Sequence, residues 1–319
     1  MKTRRKVKQI DLSKTVRIRA AVARGDVATV KECLTHGSTP NEADLNGWTL
    51  LHLAASRGRE RVLRVLLDSG GRTELRDGIG GFTALHYAAM HGRTRIARLL
   101  LDFDRNSKHN VVDIQSGDGW TPLHVAAHYG RDSFADLLLQ HQASVDSKSD
   151  KGTTPLQLAM IRERTACIKM LLQWHANINV QLGFPLRYAV IKSNHSICQL
   201  LLKRGADVNL GRQEDGQTSL HLSALKDDLE ACKILYRYGA DPNIKNHDGL
   251  TPFEVSRSLS HKDRPCLCFL LHITSNPRSL QEMCRLVIRT TLGPRNIDKL
   301  DQLPLSNIMV NYLKFRYEE

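Results

Sequence analysis

The stretch Gly119-Trp120-Thr121-Pro122-Leu123-His124-Val125-Ala126-Ala127 is the one whose reading decides the fold. Thr121 is a good helix N-cap, and Pro122 suits the first turn because its missing N–H would have had no partner there. Ala126-Ala127 allows a second helix to approach closely. That helix is supplied by the apolar run Ala135-Asp136-Leu137-Leu138-Leu139. One helix pair cannot cover its own apolar faces, so the pattern demands neighbours stacked on either side.

Those neighbours are present in the chain. Gly47-Trp48-Thr49-Leu50-Leu51-His52-Leu53-Ala54-Ala55 and Gly81-Phe82-Thr83-Ala84-Leu85-His86-Tyr87-Ala88-Ala89 precede the quoted stretch. Gly152-Thr153-Thr154-Pro155-Leu156-Gln157-Leu158-Ala159 and Gly216-Gln217-Thr218-Ser219-Leu220-His221-Leu222-Ser223-Ala224 follow it, and Gly249-Leu250-Thr251-Pro252-Phe253-Glu254 is a partial copy. The position held by His124 recurs at 52, 86, 157, 187, 221 and 254, so the spacing runs from 30 to 38 residues. Outer helices end at Gly-Ala pairs such as Gly205-Ala206 and Gly239-Ala240.

This pattern resembles the ankyrin repeat, whose Thr-Pro-Leu-His signature returns about every 33 residues. The resemblance implies an all-α solenoid of helix-turn-helix repeats with β-hairpin fingers, over residues 14–272, with about seven to eight units. It also implies that His52, His86, His124 and His221 form hydrogen bonds within and between units and are not metal ligands. The unit around Ala20-Ala21-Val22-Ala23-Arg24-Gly25-Asp26 lacks the signature and should cap the array. Gly183-Phe184-Pro185-Leu186-Arg187-Tyr188-Ala189 has lost the Thr and the His, so an irregular stack or bend is expected there. The 38-residue interval contains an insertion near Asp102–His109, which should lengthen a loop.

A different pattern follows. Ser279 is a candidate N-cap with Glu282 completing a capping box, and Leu280, Cys284 and Ile288 make one helical stripe flanked by Met283 and Val287. Gly293-Pro294 stops that helix, and Leu303-Pro304-Leu305-Ser306-Asn307-Ile308-Met309-Val310-Asn311-Tyr312-Leu313 comes after it. The two segments resemble the two parts of a SOCS box, here 276–319: an elongin-binding helix over 278–292 and a cullin box over 301–314. Ankyrin repeats followed by this box resemble the ankyrin-repeat and SOCS-box family. The resemblance implies a substrate adaptor whose partners are elongin B, elongin C, cullin five and a RING-box protein. Leu280 would be the anchor, Cys284 the close contact, and Met283, Val287 and Ile288 supporting packing. Leu303, Pro304, Leu305, Ile308, Tyr312 and Leu313 would belong to the cullin contact. The family often has a second Pro where Ser306 stands, which puts cullin affinity in question. The same apolar stripe would also serve a helical cap over the last repeat.

No kinase set, Walker loop or nucleophile elbow occurs, and the residues suggest no catalytic, metal or cofactor site. Cys167, Cys198 and Cys232 fall at repeat spacing and read as reduced, buried thiols, while Cys266-x-Cys268 lacks a partner pair. With 41% hydrophobic and 25% charged residues the composition is that of a globular protein. Neither a membrane-spanning run nor a signal-type N-terminus is apparent, which places the expected site in cytoplasm or nucleus. Lys2, Arg4, Arg5, Lys6 and Lys8 in the basic tail (1–13) form a candidate import signal.

The net charge of +13 fits nucleic acid, a membrane surface or an acidic protein partner. Large aromatics precede the capping Thr in three successive units: Trp48, Phe82 and Trp120. Inner-helix positions beyond Ala-Ala include Arg57, Met90, His91, His128, Tyr129, Ile161, Arg162, Lys192 and Lys226. Together these residues are expected to bind a protein substrate through an amphipathic, acidic segment. The alternatives are a scaffold without ligase function and a basic nucleic-acid or chromatin binder.

Overall fold

The computed structural model describes residues 12–104, 110–259, 264–276, 278–293, 296, 298–302, 305, 306, 309, 310 and 313. It divides into two compact units, with the boundary in the chain after Trp174. The first holds five helix pairs: α1 (Leu12–Arg24) with α2 (Val27–Thr35), α3 (Leu50–Arg57) with α4 (Glu60–Asp68), α5 (Ala84–His91) with α6 (Thr94–Asp104), α7 (Pro122–Tyr129) with α8 (Asp132–Gln140), and α9 (Pro155–Ile161) with α10 (Thr165–Gln173). The second holds α11 (Val180–Ile191) with α12 (His195–Lys203), α13 (Ser219–Leu225) with α14 (Leu229–Arg237), α15 (Pro252–Arg257) with α16 (Pro265–Ser275), and α17 (Leu280–Leu292). Within each unit, inner helices pack on inner helices and outer on outer.

The core of the first unit is built from Leu50, Leu63, Leu66, Leu85, Ile96, Leu100, Leu123, Phe134 and Leu138, all essentially inaccessible. Each such side chain contributes about 1.5–3 kcal/mol of burial. The alanine pairs Ala54-Ala55, Ala88-Ala89 and Ala126-Ala127 are also fully buried, at the point where helices approach most closely.

One hydrogen-bond arrangement repeats with almost constant geometry. The Thr49 N–H donates to His52 Nδ1 (3.1 Å), and His52 Nε2 meets the Phe82 carbonyl of the next unit (2.9 Å). His86 reaches Trp120 O at 2.8 Å, His124 reaches Thr153 O at 2.9 Å, and His221 reaches Leu250 O at 3.0 Å. A ring nitrogen accepting from an N–H on one side and facing a carbonyl on the other must carry its proton on Nε2, and the ring must be neutral. Burial accordingly depresses the pKa of all four, that of His86 to about 4. Gln157 makes the same local cap without titrating, its Oε1 accepting from Thr154 N–H at 2.9 Å.

The fingers are tighter than the hairpins expected from the repeat. Among the described residues there is no strand, only one isolated bridge between Ala43 and Thr49. The fingers are spanned by main-chain bonds, Asp44 N–H to Trp48 O (3.0 Å), Asp77 N–H to Phe82 O (2.8 Å) and Ser116 N–H to Trp120 O (2.7 Å). In the first and third a second bond closes the turn, Gly47 N–H to Asp44 O (2.9 Å) and Gly119 N–H to Ser116 O (3.0 Å). Successive tips are joined by Gly78 N–H to Asn46 O and Gly117 N–H to Gly80 O, both 2.8 Å. The Asp77 carboxylate accepts from Gly80 and Phe82 N–H, so side chains do the work of a ladder.

A row of arginines explains part of the charge. Arg59 Nε donates to Ala23 O at 2.9 Å, Arg131 Nε to Met90 O and Arg164 Nε to His128 O, both at 3.3 Å. Each guanidinium thus sits at the C-terminal end of the preceding inner helix, where its charge favours the helix dipole. The space is available only because the chain turns through glycine: a Cβ on Gly130 (φ +71) would lie 2.8 Å from Arg164 Cδ.

The unit that lost Thr and His is irregular, as its sequence suggested. Gln181 and Leu182 take left-handed φ values of 45 and 52 ahead of Gly183 at 83, a conformation that side chains disfavour. Arg187, buried at the His position, donates back to Leu182 O and to Gln181 O (3.1 Å). It therefore stabilises its own turn and, among the described residues, makes no bond to a following finger. The insertion begins later than expected, because Asp102, Phe103 and Asp104 form the last turn of α6. Residues 105–109 and the tail 1–11 lie outside the described residues.

The neutral histidines predict a pH dependence. An unfolded His binds a proton near its usual pKa of 6.5, whereas native His86 does so only near 4. The stabilisation is therefore complete above about 6.5 and is lost as pH falls toward 4. Thermal unfolding midpoints should drop across that window, and His86→Gln, imitating Gln157, should flatten part of the drop.

Candidate functional site

Two surfaces collect the residues singled out from the sequence, one in each unit. In the first unit, Trp48 and Phe82 converge on a residue that the sequence reading missed. The Trp48 indole N–H donates to Tyr87 Oη at 2.8 Å, with the rings edge to face at 4.6 Å, and Phe82 lies 5.9 Å from the same ring. The Tyr87 hydroxyl in turn donates to Asp77 Oδ2. Burial and the adjacent carboxylate push the phenol pKa up, while the bonds it accepts hold Asp77 below the usual carboxylate value despite burial. The signal for Tyr87 was an aromatic at a position where other units carry Leu53, Val125, Leu158 and Leu222. Trp48 is thus tied into the finger network as well as being half-exposed.

The Trp120 ring lies 5.1 Å from His128, which meets the exposed Tyr129 at 4.9 Å. Arg162 Nε donates to His128 Nδ1 at 3.4 Å, so that ring is neutral; burial first, then Arg162 and Arg164, lowers its pKa. Ile161 is exposed beside Arg162. These five residues form a continuous aromatic and cationic patch. Arg57 and His91 are exposed on the inner helices of their own pairs, and Met90 is half-buried. In the second unit, Lys192 lies 5.7 Å from the Tyr188 ring. The Lys226 ammonium is committed to the end of α11, donating to Ile191 O (2.5 Å) and Ser193 Oγ (2.8 Å).

The second surface is α17. Ser279 accepts from Glu282 N–H while the Glu282 carboxylate accepts from Ser279 N–H (3.0 Å), the capping box expected from the sequence. The helix has two faces. Arg285 and Arg289 are 3% and 8% exposed. Arg278, just before the helix, donates to Tyr236 O (2.7 Å) and Ala240 O (2.8 Å) with its guanidinium 4.1 Å from the Tyr236 ring. Leu286 fills the space above Gly239, and Arg289 donates to Leu313 O at 2.5 Å. Opposite them, Leu280 is 80% and Val287 60% exposed, with Met283, Cys284 and Ile288 also open. The expectation that a cap would use the apolar stripe is therefore corrected. The arginine face caps the last repeats and leaves the stripe uncovered.

Beyond α17, Leu300, Val310 and Leu313 form a small core with Leu292 against it. Leu313, expected at the cullin contact, is buried there, whereas Leu305 is exposed. The Ser306 hydroxyl accepts from Met309 N–H at 3.2 Å. Leu303, Pro304, Ile308 and Tyr312 lie outside the described residues. Cys266 and Cys268 diverge, one buried and one exposed.

Family comparisons agree with these elements. The model for ankyrin repeats matches three times, over residues 18–113, 105–182 and 183–279, and residues 276–314 match the SOCS box. The chain belongs to the ankyrin-repeat and SOCS-box family. Human ankyrin repeat and SOCS box protein 5 is 33% identical over 135 residues, 42% of this chain and 39% of that one. Human ankyrin repeat and SOCS box protein 9 is 31% identical over 132 residues, 41% and 42% of the two chains. Danio rerio ankyrin repeat and SOCS box protein 11 is 33% identical over 125 residues, 39% of each. The chain spans about two-fifths of the length of the curated relatives it matches. Among the described residues, no helix is long and apolar enough to cross a membrane.

The Trp48–Tyr87–Asp77 chain should matter for stability. Trp48→Phe keeps a ring but removes the donor, and should lower the unfolding free energy by about 1 kcal/mol in chemical denaturation. Trp120→Phe, whose ring nitrogen has no hydrogen-bond partner among the described residues, should cost measurably less.

Proposed function

We propose that this ankyrin-repeat and SOCS-box protein is the non-catalytic substrate receptor of an elongin–cullin ubiquitin ligase. The observation that carries the reading is the two-faced α17, anchored through Arg278, Leu286 and Arg289 and open along Leu280, Met283, Cys284, Val287 and Ile288. Monomeric proteins seldom expose such a stripe without a partner. In this reading the stripe over 278–292 takes elongin C, with elongin B behind it. The segment over 301–314, Leu305 included, takes cullin five and its RING-box protein. Ubiquitin transfer is then a matter of proximity: the adaptor raises the effective concentration of a substrate lysine near the charged carrier.

The substrate surface we assign to the first unit is Trp120, His128, Tyr129, Ile161 and Arg162, with Trp48, Arg57, Phe82, Met90 and His91 on neighbouring pairs. Aromatic rings beside guanidinium groups fit an amphipathic segment with acidic residues. The capping roles of Arg59, Arg131, Arg164 and Lys226 account for several cations that a nucleic-acid reading would need.

The geometry makes the ligase test selective. Leu280 occupies the first helical position, where proline is tolerated, so Leu280→Pro removes the side chain without breaking α17. Leu280→Pro/Cys284→Phe should lose elongin B, elongin C and cullin five on purification from cells, while its circular dichroism matches wild type. Equal elongin recovery from both proteins would sink the reading. Separately, Trp120→Ala/Arg162→Ala should keep the elongins and weaken capture of ubiquitinated substrates by about tenfold or more.

A further inference from the structure

The outer helices of the first unit carry a charge pattern that neither surface above uses. Arg61 and Arg64 on α4 recur as Arg95 and Arg98 on α6, at the same helical positions, and Lys31 on α2 stands in the same row as Arg64 and Arg98. All five are exposed, and α2, α4 and α6 pack side by side. Among the described residues, none of the five has an ion-pair or hydrogen-bond partner. This separates them from Arg59, Arg131 and Arg164, whose guanidinium groups are spent on helix ends.

The array has a defined size. Side chains three apart on a helix are about 5–6 Å from each other at Cβ, and packed helices lie about 8–10 Å apart. Four guanidinium groups and an ammonium therefore cover an area a few turns wide. Its limits are set by charge. On α8 the positions of Arg95 and Arg98 are taken by Ser133 and Asp136, with Asp132 beside them, and Asp68 and Asp102 stand one turn beyond Arg64 and Arg98. A long polyanion crossing this face would run onto those carboxylates. A short segment would not.

We infer that Lys31, Arg61, Arg64, Arg95 and Arg98 form a docking surface for a short acidic polypeptide segment, separate from the substrate and elongin surfaces. Each guanidinium presents a planar fork that matches a carboxylate in bidentate fashion. Glutamates two apart on an extended chain are separated by about 6.6 Å, close to the Arg61–Arg64 and Arg95–Arg98 spacing. No aromatic side chain lies among the five positions, so bases would find no stacking platform. The charge on this face is the recognition element, and binding to it should fade with salt.

The full chain is titrated into a labelled peptide of repeating Glu-Glu-Gly, with fluorescence anisotropy as readout. Binding should weaken about tenfold or more in Arg61→Glu/Arg64→Glu/Arg95→Glu/Arg98→Glu, and in the milder fourfold Gln variant to a lesser degree. Lys148→Glu/Lys151→Glu, exposed basic residues outside the outer helices, should leave it unchanged, and elongin co-purification should be intact in every variant. A duplex oligonucleotide or phosphatidylserine vesicles should not displace the peptide. Peptide affinity unmoved by both outer-face variants would overturn the inference. So would displacement by duplex or vesicles at a lower concentration than by unlabelled peptide.

Discussion

A neutral imidazole held between two stretches of backbone sets the pitch of this structure. The Nδ1 lone pair of His52, His86, His124 or His221 receives an N–H from its own unit, and Nε2 faces a carbonyl of the next. The two ring nitrogens are a fixed distance apart, so the spacing of adjacent units follows from the ring. Everything else is built on that repeat distance: the stacking of alanine-lined inner helices, the tip-to-tip bonds between fingers, and the reach of Arg131 and Arg164 to the preceding helix end. A charged ring would turn an acceptor into a donor facing an N–H, which is why burial and protonation state cannot be separated here.

Where the imidazole is replaced, the chain finds other partners. Gln157 keeps the local cap with an amide oxygen. Arg187 has no acceptor to offer Phe184 and reaches back to the carbonyls of Gln181 and Leu182, and the backbone there enters left-handed conformations. The loss of Thr and His thus replaces a link between repeats with a link within one.

The same division of labour appears on α17. A helix that must both hold to the array and offer an apolar stripe needs two chemistries on two faces. Arginine serves the inner face because a long stem packs over Tyr236 and Tyr238 while its fork reaches main-chain carbonyls. Leu280, Val287 and Ile288 are thereby released from the core. Besides those in surface ion pairs such as Arg17–Glu32 and Arg19–Asp44, basic residues cap inner helices, anchor α17 or stand free on outer helices.

The sequence by itself determined the helix pairs, their register and the capping boxes, because these depend on residues three or four apart: Thr121 with His124, Ser279 with Glu282, Ala126 beside Ala127. It also determined the SOCS-box stripe, since Leu280, Cys284 and Ile288 share a face at helical spacing. What the tertiary structure decided lies between segments a dozen or more residues apart. That Trp48 bonds Tyr87, that Lys226 caps α11, that Leu313 is core and that the arginines and not the leucines hold α17 cannot be read from one periodicity, because a periodicity reports which residues share a face and not what that face meets. The fingers show the same limit in reverse. Their sequence suits a hairpin, yet side-chain acceptors such as Asp77 take the bonds a ladder would need, and a turn results. Local propensity fixes which residues turn together; only the competition for partners in three dimensions settles which bonds are made.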